Sequence, residues 1–128
     1  MTRNYQLMRS ILLDAQTKEL PLNYSDICHE FDNDEIKFEL ERLNEEGLIK
    51  SDFRFSHGSC GGGQLSKLTK NGYMFARSIA NGKVWDLIYQ TLTKADLDLS
   101  YPLLKEVYDE VVRRYVMDCI PEKLHYTN

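Results

Sequence analysis

Apolar positions in this chain follow two different spacings, and the change from one to the other sets out its elements. Between Asn4 and Thr17, Leu7, Met8, Ile11, Leu12 and Ala15 recur at steps of three or four, the spacing of one buried face on a helix. Leu20-Pro21-Leu22 follows. A proline has no N–H for a central ladder, so this stretch predicts a short edge strand or a β-like connection. A brief second helix is predicted from Tyr24-Ser25 through His29, with Ser25 as its N-cap and Ile27, Cys28 and Phe31 on its apolar side. A third helix begins near Asp34 behind an Asx cap at Asp32 or Asn33, turns Ile36, Leu40 and Leu43 inward, and stops at Gly47.

At that point the period shortens. Leu48-Ile49 and the alternating Phe53 and Phe55 predict a strand over 49–55, and Leu65 and Leu68 place its antiparallel partner over Gln64 to Thr69. Ser56 to Gly63 then forms the hairpin loop, with a mobile tip expected at Gly58 to Gly63. Helical spacing returns after Asn71-Gly72, with Tyr73, Phe75, Ala76 and Ile79, and again over Lys83 to Leu92, with Val84, Trp85, Ile88 and Leu92. Asp96 to Ser100 reads as a hinge, with Ser100 capping a last helix that holds Pro102 in its first turn. Its stripe of Leu103, Leu104, Val107, Tyr108, Val111, Val112, Tyr115 and Val116 is too broad for one small domain to cover. Helix, edge strand, short helix, third helix and hairpin, in that order, make a winged helix-turn-helix. The predicted fold is α+β, mainly α: a winged helix-turn-helix with a glycine-rich β-hairpin wing over 1–93 and additional C-terminal helices. The helix over 94–120 is packed on that domain or at a dimer interface, and a polar tail covers 121–128.

Composition adds limits. At 128 residues and 42% hydrophobic, the chain can bury a core without staples or metals. The N-terminal segment carries Arg3, Arg9 and Asp14 and resembles no signal peptide, and no stretch approaches the ~18 apolar residues of a spanning helix. Three cysteines, Cys28, Cys60 and Cys119, cannot all pair within the chain, and none lies in a CxxC, so a reducing cytoplasm is expected. The net charge of −4 supplies no general attraction for phosphate. Six acids against two bases between Asp34 and Glu46 give the third helix a net −4 of its own. In a major groove such a helix would be repelled, because affinity there comes largely from counterion release by Lys and Arg. Replacing Glu39 and Glu41 by Gln is accordingly expected to strengthen any DNA binding. The wing is the less acidic surface, and Arg54, His57 and Lys67 are its expected contacts with duplex DNA.

No catalytic constellation emerges, and no cofactor or metal is expected. The glycine-rich loop lacks the following helix N-terminus that a phosphate cradle needs. Cys28-His29 and His57-x2-Cys60 offer zinc-ligand types without the spacing of a zinc finger. Glu45-Glu46 reads as a solvated helix end.

Four stretches carry a family resemblance: Tyr5-Gln6-Leu7-Met8-Arg9-Ser10-Ile11-Leu12-Leu13, then Glu39 to Ile49, then Leu68-Thr69-Lys70-Asn71-Gly72-Tyr73-Met74-Phe75, and Val84-Trp85. Together, over about residues 4–90, they resemble a family of small uncharacterised bacterial proteins, common in phages and prophages and classed as a domain of unknown function. That family usually has a His where this chain has Tyr73, and a shorter wing. The resemblance implies a winged-helix fold and a mobile-element context, with no established activity. Two functions are expected to compete. One is a DNA-binding transcriptional regulator. The other is a protein-interaction module that uses the acidic helix and the C-terminal helix without DNA. A homodimer through Leu104, Val107, Tyr108 and Val111 fits either, and no membrane role is expected.

Overall fold

Asn4 accepts a hydrogen bond from the Leu7 amide at 3.1 Å and starts helix α1, Tyr5–Thr17. The predicted stripe of Leu7, Met8, Ile11, Leu12 and Ala15 is buried in full. The computed structural model describes residues 2–27 and 30–121, and the fold is α+β, mainly α. It falls into two compact units, Met1–Ala80 and Asn81–Asn128.

In the first unit, α1 packs on α2 (Asn33–Glu45) and α3 (Lys70–Ile79). Asp32 caps α2 by accepting from the Glu35 amide at 2.9 Å, and Ile36, Leu40 and Leu43 point inward as predicted. Thr69 caps α3 in the same way through the Gly72 amide. Arg9 holds the far end of α3, its guanidinium donating to the carbonyls of Ile79 at 2.9 Å and Ala80 at 3.2 Å, where a cation also complements the helix dipole. The predicted second helix is instead a single 3-10 turn, Tyr24–Asp26. Its brace is the Asp26 carboxylate accepting from the Asn23 amide, not a Ser25 cap. Cys28 and His29, which would have extended it, lie outside the described residues.

Among the described residues, four short strands stand where two were expected. β1 (Ile49–Ser51) pairs antiparallel with β4 (Leu65–Leu68), and β2 (Arg54–Ser56) with β3 (Ser59–Gly62). Leu22 bridges to Leu65, the edge position expected for Leu20-Pro21-Leu22. Asp52 joins the two ladders: its amide donates to the Gln64 carbonyl, and its carboxylate accepts from the Gln64 amide. A Cβ on Gly63 would stand 2.5 Å from the Asp52 carbonyl oxygen at a φ of +106°, so only glycine fits this junction. The predicted loop over 56–63 is therefore mostly strand. Its turn is the pair His57-Gly58, both at positive φ, which matches the twist of a two-residue hairpin. Phe53 and Phe55 hold the hairpin to the 3-10 turn by edge contacts with Tyr24, at centroid distances of 5.8 and 5.6 Å.

In the second unit, α4 (Gly82–Ala95) packs on α5 (Tyr101–Cys119). Val84, Trp85, Ile88 and Leu92 of α4 are buried, as their spacing predicts, and α5 buries Leu104 alone. Residues 122–128, most of the predicted polar tail, lie outside the described residues. No described helix is long and apolar enough to cross a membrane.

Candidate functional site

The hairpin register decides which bases share a surface. Lys50 on β1 lies directly opposite Lys67 on β4, and both are exposed. Like charges facing each other across a ladder destabilise it, and among the described residues neither ammonium has an acidic partner. Two residues past β4, Lys70 opens α3, also exposed and unpaired. Lys67 and Lys70 line one wall of a groove of about 730 Å³ that runs between the end of α1, β4 and the start of α3. Lys18, just past the end of α1, also lines it, donating to the Asp26 carbonyl at 2.6 Å and pairing with Asp14 at 3.5 Å. Tyr73 and Met74, each about half exposed, complete the groove. It presents cations, one aromatic face and a thioether, a set suited to a phosphate backbone with bases or sugars beside it.

A close backbone approach fixes this geometry. The Leu48 carbonyl accepts from the Thr69 amide at 3.0 Å and from the Thr69 hydroxyl at 3.2 Å. A Cβ on Gly72 would lie 1.8 Å from that same oxygen. Leu68-Thr69-Lys70-Asn71-Gly72 thus locks the start of α3 against the end of α2 and sets Lys67 and Lys70 on either side of the cap.

The three predicted contacts are dispersed along the hairpin. Lys67 is in the β1–β4 ladder beside the groove, whereas Arg54 is in the β2–β3 ladder opposite Gly62, with its guanidinium lying over that glycine. His57 is exposed at the turn. Cys60 pairs with Phe55, and its thiol donates to the Gly62 carbonyl at 3.4 Å. Half of the zinc-type set, Cys28 and His29, lies outside the described residues, and among those described no three His, Cys, Asp or Glu side chains converge on a metal position. At the proposed dimer face, Val107, Tyr108 and Val111 are half-buried, but Leu104 is only 1% exposed and has no surface left to offer a partner.

The acidic helix needs a correction. Glu39 is buried at 1% exposure and Glu46 is largely covered, because both pair with the fully buried side chain of Arg3. The Arg3 Nε lies 3.1 Å from each Glu39 oxygen and one terminal nitrogen lies 2.7 Å from Oε2; the other terminal nitrogen lies 2.9 Å from Glu46 Oε2. Burial raises the Glu39 carboxyl to a pKa of about 6; the Arg3 guanidinium opposes the rise, and the nearby Glu46 charge adds to it. Burial also works against the Arg3 charge, yet its two carboxylate partners outweigh this and hold Arg3 above its ordinary value. Glu46 is therefore no solvated end, and the charge that α2 presents outward is smaller than its sequence sum. Asp34, Glu35, Glu41 and Glu45 still outnumber Lys37 and Arg42, so α2 remains the acidic side of the unit.

Residues 2–98 match the family described as "Hypothetical protein (DUF2513)". The chain belongs to that family. An uncharacterized protein of Haemophilus influenzae (strain ATCC 51907 / DSM 11121 / KW20 / Rd) is 28% identical over 116 residues, covering 88% of this chain and 96% of its own. No solved structure matches the chain. The DUF2513 match contains the Arg3 cluster, both ladders and every lysine of the groove, and it ends before α5 begins. The sequence reading missed Lys18, Lys50 and Lys70. Lys70 was reachable, since it follows the cap residue Thr69; Lys50 and Lys18 needed the register and the α1–β4 packing.

Proposed function

We propose that this chain binds duplex DNA through the hairpin and the start of α3, as a regulator of the mobile-element kind, and that it is not an enzyme. The observation that carries this reading is Lys50 set directly opposite Lys67 with no acid among the described residues to relieve the pair, and Lys70 next to them. Phosphate is the group that turns such a repulsive arrangement into an attractive one. The order of elements, with Leu22 bridging to Leu65 ahead of the 3-10 turn, α2 and the hairpin, follows the order expected of a winged helix and supports the reading. In this reading α2 stays out of the major groove. Backbone contact comes from the lysines, with Arg54 and His57 reaching further along the duplex from the hairpin.

The outward acids of α2 favour a second reading, in which that face meets a basic protein and the lysines carry no DNA. Fluorescence anisotropy with random duplexes at increasing salt separates the two. Lys50→Ala, Lys67→Ala and Lys70→Ala should each weaken binding about equally on all sequences, and each should lower the salt slope by about one. Arg54→Ala should do the same. Absence of binding at low salt, or binding that ignores all four substitutions, would leave the protein-interaction reading.

A further inference from the structure

Of the seven large apolar side chains exposed among the described residues, Leu87, Leu97, Leu103, Val116 and Met117 belong to the second unit. Leu87, Leu97 and Leu103 line a groove of about 1020 Å³ formed by α4 and α5, and Val107, Val111 and Tyr115 continue along it. A groove this apolar on a chain of net charge −4 calls for a cover. The same unit carries a helix suited to supply it, since α5 is 19 residues long and buries one side chain. We propose that two copies of this chain associate by crossing their α5 helices antiparallel at Val111, each helix lying along the groove of the other.

The sequence of α5 favours a second copy over an unrelated helix. Leu103, Val107, Val111, Tyr115 and Cys119 recur at intervals of four, so the stripe is symmetric about Val111. Reversing the helix about that residue sets Val107 against the partner's Tyr115 and Leu103 against the partner's Cys119. Each apolar position therefore meets another, as a two-fold interface requires. Beside the stripe run Glu106, Glu110, Arg114 and Asp118. In the antiparallel crossing the partner's Arg114 falls between Glu106 and Glu110, about 3 Å along the axis from each, and offsets the approach of the two Glu110 side chains, whereas a parallel two-fold crossing carries the two charged rows to opposite flanks where they cannot pair. The association does not rest on DNA binding and is tested without DNA.

Sedimentation of the full chain should show a dimer at tens of micromolar. Val111→Asp should weaken that association by about 100-fold or more, because it brings two carboxylates together at the axis. Its circular dichroism should stay that of the parent, since Val111 is only half-buried in the chain. With Cys28, Cys60 and Cys119 replaced by alanine, Val111→Cys should form a covalent dimer under mild oxidation. Val116→Cys should not, because the antiparallel crossing separates the two 116 positions by about 15 Å along the axis, beyond disulfide reach. A monomer at all concentrations, a Val111→Asp protein that still dimerises, or equal cross-linking at both positions would overturn the proposal.

Discussion

Arg3 is the residue whose replacement most directly tests the physical account of the first unit. Its guanidinium is fully buried between Glu39 and Glu46, so Arg3→Met keeps the length and apolar contact of the side chain while leaving two covered carboxylates without their cation. Removing one partner of a buried ion pair costs about 3–5 kcal/mol. That cost should depend on pH, because Glu39 already titrates near 6 instead of 4.5. A carboxyl raised on folding contributes stability that is full below its unfolded pKa and is lost as pH rises through the folded one. In the parent protein this group should therefore lower stability by about 2 kcal/mol between pH 4 and 7. In Arg3→Met the carboxyl is pushed higher still, so the penalty at pH 7 should shrink at pH 5, where Glu39 takes up a proton in both proteins. Urea unfolding at pH 5 and pH 7, with amide signals from α1 and α2 assigning the transition to the first unit, measures both differences. A penalty under about 1 kcal/mol at pH 7, or one identical at the two pH values, would refute the reasoning.

Two further outcomes are expected. Gly72→Ala forces a methyl group to within 1.8 Å of the Leu48 carbonyl, and should cost about 3 kcal/mol or more because backbone, not a mobile side chain, must give way; unchanged urea unfolding would contradict the close approach. Part of Ser59–Gly62 should show amides that exchange more slowly than those of His57 and Gly58, since β3 is laddered to β2, and uniformly fast exchange over 56–63 would return that stretch to a loop.

How much was legible in the sequence follows from which forces leave a local trace. The stripes of α1, the third helix and α4 were readable because burial of one helix face imposes its period on the residues themselves. β3 was hidden for the opposite reason. Ser59-Cys60-Gly61-Gly62 offers no alternation of apolar side chains, and its strand character comes from pairing with β2 across the His57-Gly58 turn. Gly63, expected to be part of a mobile tip, is instead demanded by its close approach to the Asp52 backbone. Where the sequence predicts a short helix after Pro21, the described residues form one 3-10 turn, whose Tyr24 meets Phe53 and Phe55, two residues brought near only by the hairpin.

The charge of the third helix was misjudged for a related reason, and that error bears on function. Glu39 and Glu46 lie three residues beyond Ile36 and Leu43, on the same inward face, so their positions already disagreed with a solvated role. What the sequence did not disclose was the partner, since Arg3 is 36 positions away from Glu39. A sum over the helix counts those acids as though they faced solvent. The structure places them against a cation inside and leaves Lys50, Lys67 and Lys70 outside without acidic partners among the described residues. Glu39→Gln should therefore not strengthen DNA binding, as the helix sum would have it, but should disturb the Arg3 cluster and relieve no phosphate repulsion. Glu41, which is exposed and 3.9 Å from Lys37, is the acid whose replacement acts on the outward field alone. The difference between those two substitutions in one binding assay separates internal charge from surface charge on a single helix.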